Sequence, residues 1–597
     1  MADLSGERRS GEKFCCDPEA RISTHPQDID YIRTNIPCQW ACPAHTNIPA
    51  YILANSRGDL DDSWLINRAS NLLPGILGRI CSRPCEEACR HGDPDLGESV
   101  GICHLKRVAA DGRSLSAPPE EFRFPASGHT VGIVGAGPAG LACAHSLALF
   151  GHEVTIYEKE AEPGGMLRYG IPAFRLPRSV ITEEVGFITS LGVGIECGVT
   201  VGEETTLEHL CRRHDAVVVT AGCYEPYELQ IPGTDGRGFY SGLDFMVRVN
   251  TGERPEVGRQ VIVIGAGFTA FDCARTARRL GAEDVSICIL GVEELLTVTR
   301  EEIVEAKREG IRIRSLLTSL EITGGEEVAG VRFARNRLGG IDERGRRRTT
   351  PIEGSEFELP ADTVIAAIGQ QPDHEAALSG FEAPPEFSDD GTSTRDGLWA
   401  AGDFLSGAST VIEAVGRAKT VATAVDARLS GRVRRQERVR IDPGTDTPRE
   451  RAYDFIERQE MPLLSMAERL AERDGEVEQG LAEDAATAEA RRCYLCNLKY
   501  EIDIDGCIYC RWCIDQCPRD CIGLARRIEP TGGHLGEEIE WTGKWDEAAG
   551  IVIDSDRCIR CGICLRICPT RCIGVREVSL VEEFLVAEET EEGASDE

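Results

Sequence analysis

The sequence is short of positive charge. Lys and Arg total 66 against 100 Asp and Glu in 597 residues, a formal net charge of −34. Nucleic acid and anionic membrane surfaces both demand basic surface, so neither is an expected partner. Long apolar runs are also missing: none reaches the ~18 residues of a spanning helix, so no membrane insertion is expected. The opening MADLSGERRSGEKF has no apolar signal core. These absences lead us to expect a soluble cytoplasmic protein of about four domains. Cysteine, by contrast, is plentiful. The 26 cysteines would suggest disulfides in a small secreted chain, but here they fall in metal-ligand spacings. A reduced compartment and oxygen sensitivity follow.

The densest pattern lies near the C-terminus. Cys507, Cys510, Cys513 and Cys517 are spaced C-x2-C-x2-C-x3-C before Pro518, and Cys558, Cys561, Cys564 and Cys568 repeat this before Pro569. A thiolate at every third residue wraps three corners of a cubane, and in two-cluster ferredoxins the fourth cysteine ligates the other cluster. Crossed ligation gives Cys507/Cys510/Cys513/Cys568 on one [4Fe–4S] cluster and Cys558/Cys561/Cys564/Cys517 on the other. Paired C-x2-C also serves zinc, but three close thiolates and a Cys-Pro, twice over, favour cubanes. Cys521 and Cys572 follow Cys517 and Cys568 at matching places and read as small packing residues. With Cys493 and Cys496 they would also total four thiols, so a fifth cluster stays open.

Residues 1–125 carry eight cysteines among amphipathic helical stretches. The phrases CPAHTNIPAYI and GRICSRPCEEAC resemble the N-terminal iron–sulfur domain of the glutamate synthase small-subunit family, shared with dihydropyrimidine dehydrogenase. That resemblance implies one cluster on Cys42, Cys81, Cys85 and Cys89. Of the family's second C-x2-C-x4-C-x3-C run only Cys38 and Cys42 remain, with Asp30 and Arg33 in the first two places. Cys38 and Cys103 are candidate ligands of a second cluster. Either Cys15 with Cys16 or Cys493 with Cys496 can supply the missing pair, which makes about four [4Fe–4S] clusters in all.

Thr130 to Val134 reads as a strand, GAGPAG (135–140) opens a helix, and HEVTIYE is a second strand ending at Glu158. The glycines permit close approach to a pyrophosphate, the helix N-terminus stabilises its charge, and the acidic residue binds a ribose hydroxyl. GGMLRYGIPAFRLP (164–177) and LWAAGDFLSGASTVIEAVGRAKTVATAVDARL (398–429) resemble the flavin segments of the same family. The resemblance implies FAD held by Gly135, Gly137, Pro138, Ala139, Gly140, Glu158, Lys159, Gly165, Arg168, Gly402, Asp403, Thr410 and Val411. A second strand–GxGxxA–helix–strand unit (260–290) is where the family binds NADPH, implying Gly265, Gly267, Thr269 and Ala270 as contacts. The family's arginine pair for the 2′-phosphate is replaced by Leu290 and Gly291, followed by Glu293 and Glu294. Carboxylates suit a free 2′-hydroxyl, so NAD(H) is expected, with Glu293 as ribose partner. No C-x2-C lies in this inserted stretch, so a dithiol exit is not expected.

The expected architecture is multidomain. A helical iron–sulfur domain (1–125) precedes an α/β Rossmann-like FAD domain (126–235 and 390–432), with an inserted NAD(P) domain (236–389). A charged linker (433–489), an α+β ferredoxin-like domain (490–580) and an acidic tail (581–597) follow. The expected activity is hydride exchange with NAD(H) and single-electron relay through clusters, with no catalytic acid or base. The implied partner is an oxidoreductase subunit, such as a 2-oxoacid:acceptor oxidoreductase, or a ferredoxin. Alternatives are a non-enzymatic relay subunit with an empty nicotinamide site, or a glutamate synthase small subunit.

Overall fold

A computed structural model describes residues 29–586, apart from 94–95, 120, 342–346, 379, 445–447 and 532–535. Cys15, Cys16 and the last eleven residues of the acidic tail lie outside the described residues. Short helices fill the stretch from Ile29 to Gly112. Pro37, Pro49, Pro74 and Pro84 each open one, in the first turn where a missing N–H costs nothing. Cysteines stand at their ends: Cys42 closes Pro37–Ala41 and Cys81 closes Pro74–Ile80. The helix Pro74–Ile80 is fixed to the next domain by Glu184, whose carboxylate accepts from the N–H groups of Gly75 (2.6 Å) and Ile76 (3.1 Å). Burial pushes Glu184 up to about 7 despite those two N–H groups.

The first parallel sheet has the order Leu398–Ala400, Ala216–Val219, Thr130–Val134, Glu153–Glu158, Gly194–Cys197. Its strands are apolar in runs because helices cover both faces. The edge strand Leu398–Ala400 comes from far downstream, so this domain is closed across an insertion. The insertion builds a second five-stranded parallel sheet around Gln260–Ile264 and an antiparallel sheet beside it. In the C-terminal module, Leu498–Ile502 pairs with Ile573–Phe584 and Ile522–Thr531 pairs with Gly550–Ile553. Each half thus leans on the other, as crossed cysteine ligation requires. Among the described residues no helix is long and apolar enough to cross a membrane.

Two stretches depart from expectation. Residues 433–489 are no free tether. Arg435–Pro443 pairs along Ile573–Phe584, Val477 donates its N–H to Phe174 O at 3.0 Å, and Arg449, Arg469 and Glu489 are buried. Several of the charges that make the stretch look like a linker, such as Arg449, Arg469 and Glu476, are held in ion pairs. The expected tail likewise begins later. The strand runs through Val581 to Phe584, whose ring packs on Phe122, Phe124 and Phe150 at 5.3–5.9 Å.

Glu309 is the hub of this packing. It accepts from Arg275 (3.0 Å), Arg279 (2.7 Å) and, from the 433–489 strap, Arg469 (3.1 Å), all buried. Burial alone would raise its pKa, but the guanidiniums bring it down to about 2. Glu309→Leu should cost about 3–5 kcal/mol, because three buried cations lose a partner. Thermal unfolding of the full chain would register this as a lower midpoint. Because the folded carboxyl lies below its unfolded value of about 4.3, the contribution is present above that pH and fades as pH falls toward 2. The gap between wild type and variant should therefore close in acid.

Candidate functional site

A cavity of about 300 Å³ opens at the C-terminal edge of the first parallel sheet. Gly135, Gly137, Pro138, Ala139, Glu158, Lys159, Gly165 and Asp403 line it, with Tyr224, Cys223 and Ala414. Gly137 begins the helix Pro138–Leu149 with no side-chain cap, so its first N–H groups point to the cavity unsatisfied. A Cβ at Gly140 would lie 2.0 Å from Gly135 O, and one at Gly165 2.9 Å from Gly137 Cα. Glu158 is buried and accepts from Ala136 N–H (2.7 Å) and Glu160 N–H (2.9 Å). Burial raises its pKa against those donors. Lys159 lies over the Tyr224 ring at 3.3 Å. An elongated diphosphate-bearing group with a ribose fits these features. Thr410 caps the helix Val411–Ser430 through a capping box with Glu413, and Gly402 abuts Ala139 (a Cβ would be 2.5 Å from the Ala139 methyl). Arg168 turns away from the cavity to Pro163 O (2.9 Å) and Glu162 (2.7 Å).

The second loop has the same build. Gly265 has φ +154°, and its Cβ would meet Ala367 O at 2.1 Å; Gly267 has nothing within 4 Å and leaves the helix Phe268–Arg279 uncapped. Thr269 is exposed and Ala270 buried. Arg175 stands over the Phe268 ring at 5.7 Å while pairing with Asp272 and Glu302. Past the second strand, Leu290 is 56% exposed and Gly291 has open space around it. Glu293 is ion-paired to Lys307 on the following helix.

The cysteines gather into four groups. Cys507, Cys510, Cys513 and Cys568 line a small pocket, joined by Cys572. Cys517, Cys558, Cys561 and Cys564 line another, joined by Cys521. Cys521 and Cys572 are thus a fifth thiol in each, with Sγ 3.3 Å from Cys517 Sγ and 3.5 Å from Cys568 Sγ. In the N-terminal part the expected Cys42/Cys81/Cys85/Cys89 set is regrouped. Cys38 and Cys89 line a small pocket with Cys493 and Cys496. Cys81 and Cys85 are close enough to Cys103 to act on one another's charge, and Cys42 lies beside Cys85. The physical reason is direction: Cys89 follows the turn beyond Pro84–Glu87 and faces Cys38, whereas Cys103 rises from the helix Ile102–Gly112 toward Cys81. Cys493 and Cys496, carried in only as one of two open alternatives, are part of the Cys38/Cys89 group. Their C-x2-C spacing was the signal; their position depends on the strap.

Among the described residues no three Cys, His, Asp or Glu converge tightly enough for a single metal ion. The thiols are instead set around the small pockets described above, an arrangement that suits a polynuclear group better than a single ion. His91, buried at 3%, lines the Cys38/Cys89 cavity with both ring nitrogens unpartnered. A cluster sulfide is an acceptor for such a donor. Burial pushes Cys89 up to about 11 and Cys493 up to about 12, so thiolate character there requires bound iron.

The groups form a sequence. Ala414 lines the large cavity, and Gly416 on the same helix abuts Pro43 O (a Cβ would be 2.3 Å away), next to Cys42. Tyr51 donates its hydroxyl to Ile102 O at 3.0 Å and lies among Cys85, Cys103, Cys38 and Cys42, between the two N-terminal groups. Arg449 donates to Cys493 O (2.9 Å) and Ile559 O (3.1 Å). Arg560 donates to Cys496 O (3.1 Å) and to Cys558 O. These two arginines bridge the second group to the third. The fourth lies beside exposed Ile508 and Trp512.

Comparison with known proteins finds the same kinds of domain in the same order along the chain. Residues 129–427 match the pyridine nucleotide-disulphide oxidoreductase family, 33–116 the dihydropyrimidine dehydrogenase domain II 4Fe-4S family, and 506–572 the 4Fe-4S dicluster domain. The beta subunit of the NADP(+)-dependent formate dehydrogenase of Moorella thermoacetica is 36% identical, covering 77% of this chain and 70% of that protein. The beta subunit of the NADPH-Fe(3+) oxidoreductase of Geobacter sulfurreducens is 35% identical over 77% of this chain and 75% of its own length. The small chain of the glutamate synthase [NADPH] of Escherichia coli is 32% identical over 65% and 87%.

The regrouped thiols make a prediction about which variants resemble one another. In anaerobic electron paramagnetic resonance, Cys89→Ala and Cys496→Ala should lose the same signal, and Cys42→Ala and Cys103→Ala a different one. Each should lower iron by about four from about sixteen per chain, by the four-iron stoichiometry. Loss of one common signal in Cys42→Ala and Cys89→Ala would restore the family's set.

Proposed function

This chain belongs to the pyridine nucleotide-disulphide oxidoreductase family, with iron–sulfur domains before and after the nucleotide folds, and on that premise we propose that it is the flavin subunit of a multisubunit oxidoreductase, exchanging a hydride with NAD(H) and relaying single electrons. The observation that carries this reading is the unbroken run of groups from the large cavity to the Ile508–Trp512 surface. FAD, held by Gly135–Gly140, Glu158, Lys159, Gly165 and Asp403, supplies the exchange between two-electron and one-electron chemistry. The uncapped Pro138–Leu149 N-terminus binds its diphosphate, and the buried walls exclude water. Cys42/Cys81/Cys85/Cys103, Cys38/Cys89/Cys493/Cys496, Cys517/Cys558/Cys561/Cys564 and Cys507/Cys510/Cys513/Cys568 would hold clusters, which would supply single-electron relay outward in that order. The partner is an oxidoreductase subunit or ferredoxin in the cytoplasm, with 2-oxoacid:acceptor oxidoreductases among the candidates.

The choice of NADH rests on Leu290, Gly291, Glu293 and Glu294. The named relatives are NADP(H) proteins, but in the present chain the positions just past this strand, from Leu290 to Glu294, carry no guanidinium. Arg314, on the neighbouring strand, donates to Ser286 Oγ at 3.1 Å. A desolvated phosphate without a partner is costly. Glu293 is engaged with Lys307, and it can still accept from a ribose hydroxyl because a carboxylate has several lone pairs.

Stopped-flow reduction of the oxygen-free protein should be far faster with NADH than with NADPH, and Leu290→Arg with Gly291→Arg should narrow the difference. A wild type that prefers NADPH, as its relatives' names suggest, would sink the strand-end reading alone. Cys507→Ala should leave flavin reduction intact and slow transfer to a partner or viologen. Loss of flavin reduction with the flavin retained would show that the C-terminal module does not lie downstream. No response to either nucleotide would favour the relay reading.

A further inference from the structure

Lys106 stands on the helix Ile102–Gly112, one turn after Cys103, and is only 3% exposed. The other two buried lysines among the described residues have carboxylate partners: Lys419 meets Glu582 at 2.7 Å and Lys499 meets Glu501 at 2.9 Å. Lys106 differs. The groups that act most on its charge, after burial itself, are Cys103, Cys81, Cys85 and Cys42, with no carboxylate among them. Nearby Arg83 is already engaged, reaching Glu301 at 3.5 Å. An ammonium taken out of water costs several kcal/mol unless an opposite charge compensates it. Neutral thiols do not supply that charge, but four thiolates around an iron–sulfur cubane do.

Resting on the cluster reading above, we propose that Lys106 is the fixed counter-cation of the [4Fe–4S] cluster on Cys42, Cys81, Cys85 and Cys103, and that it raises this cluster's reduction potential. The cluster is anionic and gains one further negative charge on reduction. A cation held close in a low-dielectric site stabilises the reduced form more than the oxidised one. Because Pro43, beside Cys42, abuts the helix that lines the large cavity, the cluster so tuned is the first acceptor beside the flavin. Lys106 touches no nucleotide; it is a positioning residue that acts through the cluster.

The test uses the full chain, reconstituted without oxygen and titrated potentiometrically by electron paramagnetic resonance. The relevant signal is the one lost in Cys103→Ala. In Lys106→Met its potential should fall while the other three stay in place, and iron content should not change. Lys106→Arg, which keeps the charge, should return it toward the wild-type value. An unchanged potential in Lys106→Met, or an equal fall in Lys106→Arg, would overturn the proposal, the latter by making packing and not charge the cause. If Lys106→Met fails to hold the cluster, the neutral Lys106→Gln is titrated under the same criteria. Retention of every signal and of full iron in Cys103→Ala would instead refute the ligand set, a separate failure from that of Lys106.

Discussion

Cys38 and Cys89 meet Cys493 and Cys496 in a buried cavity, and the path of the chain follows from holding that group closed. Its halves come from opposite ends of the polypeptide, with both nucleotide folds between them. The strap of residues 433–489 is what brings the ends together. Arg449 ties Cys493 O to Ile559 O, Glu489 accepts from Gly101 N–H at 2.7 Å, and Arg492 reaches Glu98 O at 2.6 Å. Buried charges are an expensive way to join surfaces. They are tolerated here because nearly every one meets an opposite charge or a carbonyl.

The same strap sets the nucleotide domains. Arg469 reaches Glu305 and Glu309 on the inserted domain, while Val477 bonds to Phe174 of the FAD domain. The two domains also meet directly, through the strand pair Gln370–Gln371 with Glu225–Pro226 and through Arg175, which pairs with Asp272 and Glu302. The ion pairs with Arg469 add the strap to those contacts. Electron entry and the first clusters are thus framed by one set of contacts.

Local patterns were legible wherever a short segment completes its own geometry. The GAGPAG loop, the split FAD domain and both C-terminal cysteine runs could be read because spacing and resemblance carry them. The grouping of Cys89 and Cys103 could not, since both sit near Cys81 and Cys85 in sequence, and which way each faces depends on the turn after Pro84–Glu87 and on the helix Ile102–Gly112. Residues 433–489 were misleading for a related reason. Charge looks the same in a solvated linker and in a buried lattice of ion pairs until its partners are known. Lys106 was invisible as anything but a helix residue, because its significance lies in the lack of an acid beside it.

The strap also dictates an order of manufacture. Cys42, Cys81, Cys85 and Cys103 are all translated before the first nucleotide fold begins, so that group is complete early. The Cys38/Cys89 group waits for residue 496, after both folds have left the ribosome. Until then two buried-type thiols and the His91 ring remain without their other half. Iron delivered during synthesis meets one finished N-terminal nest and one half-built one. A chain truncated anywhere before the strap would be left permanently with an open, oxidisable pair.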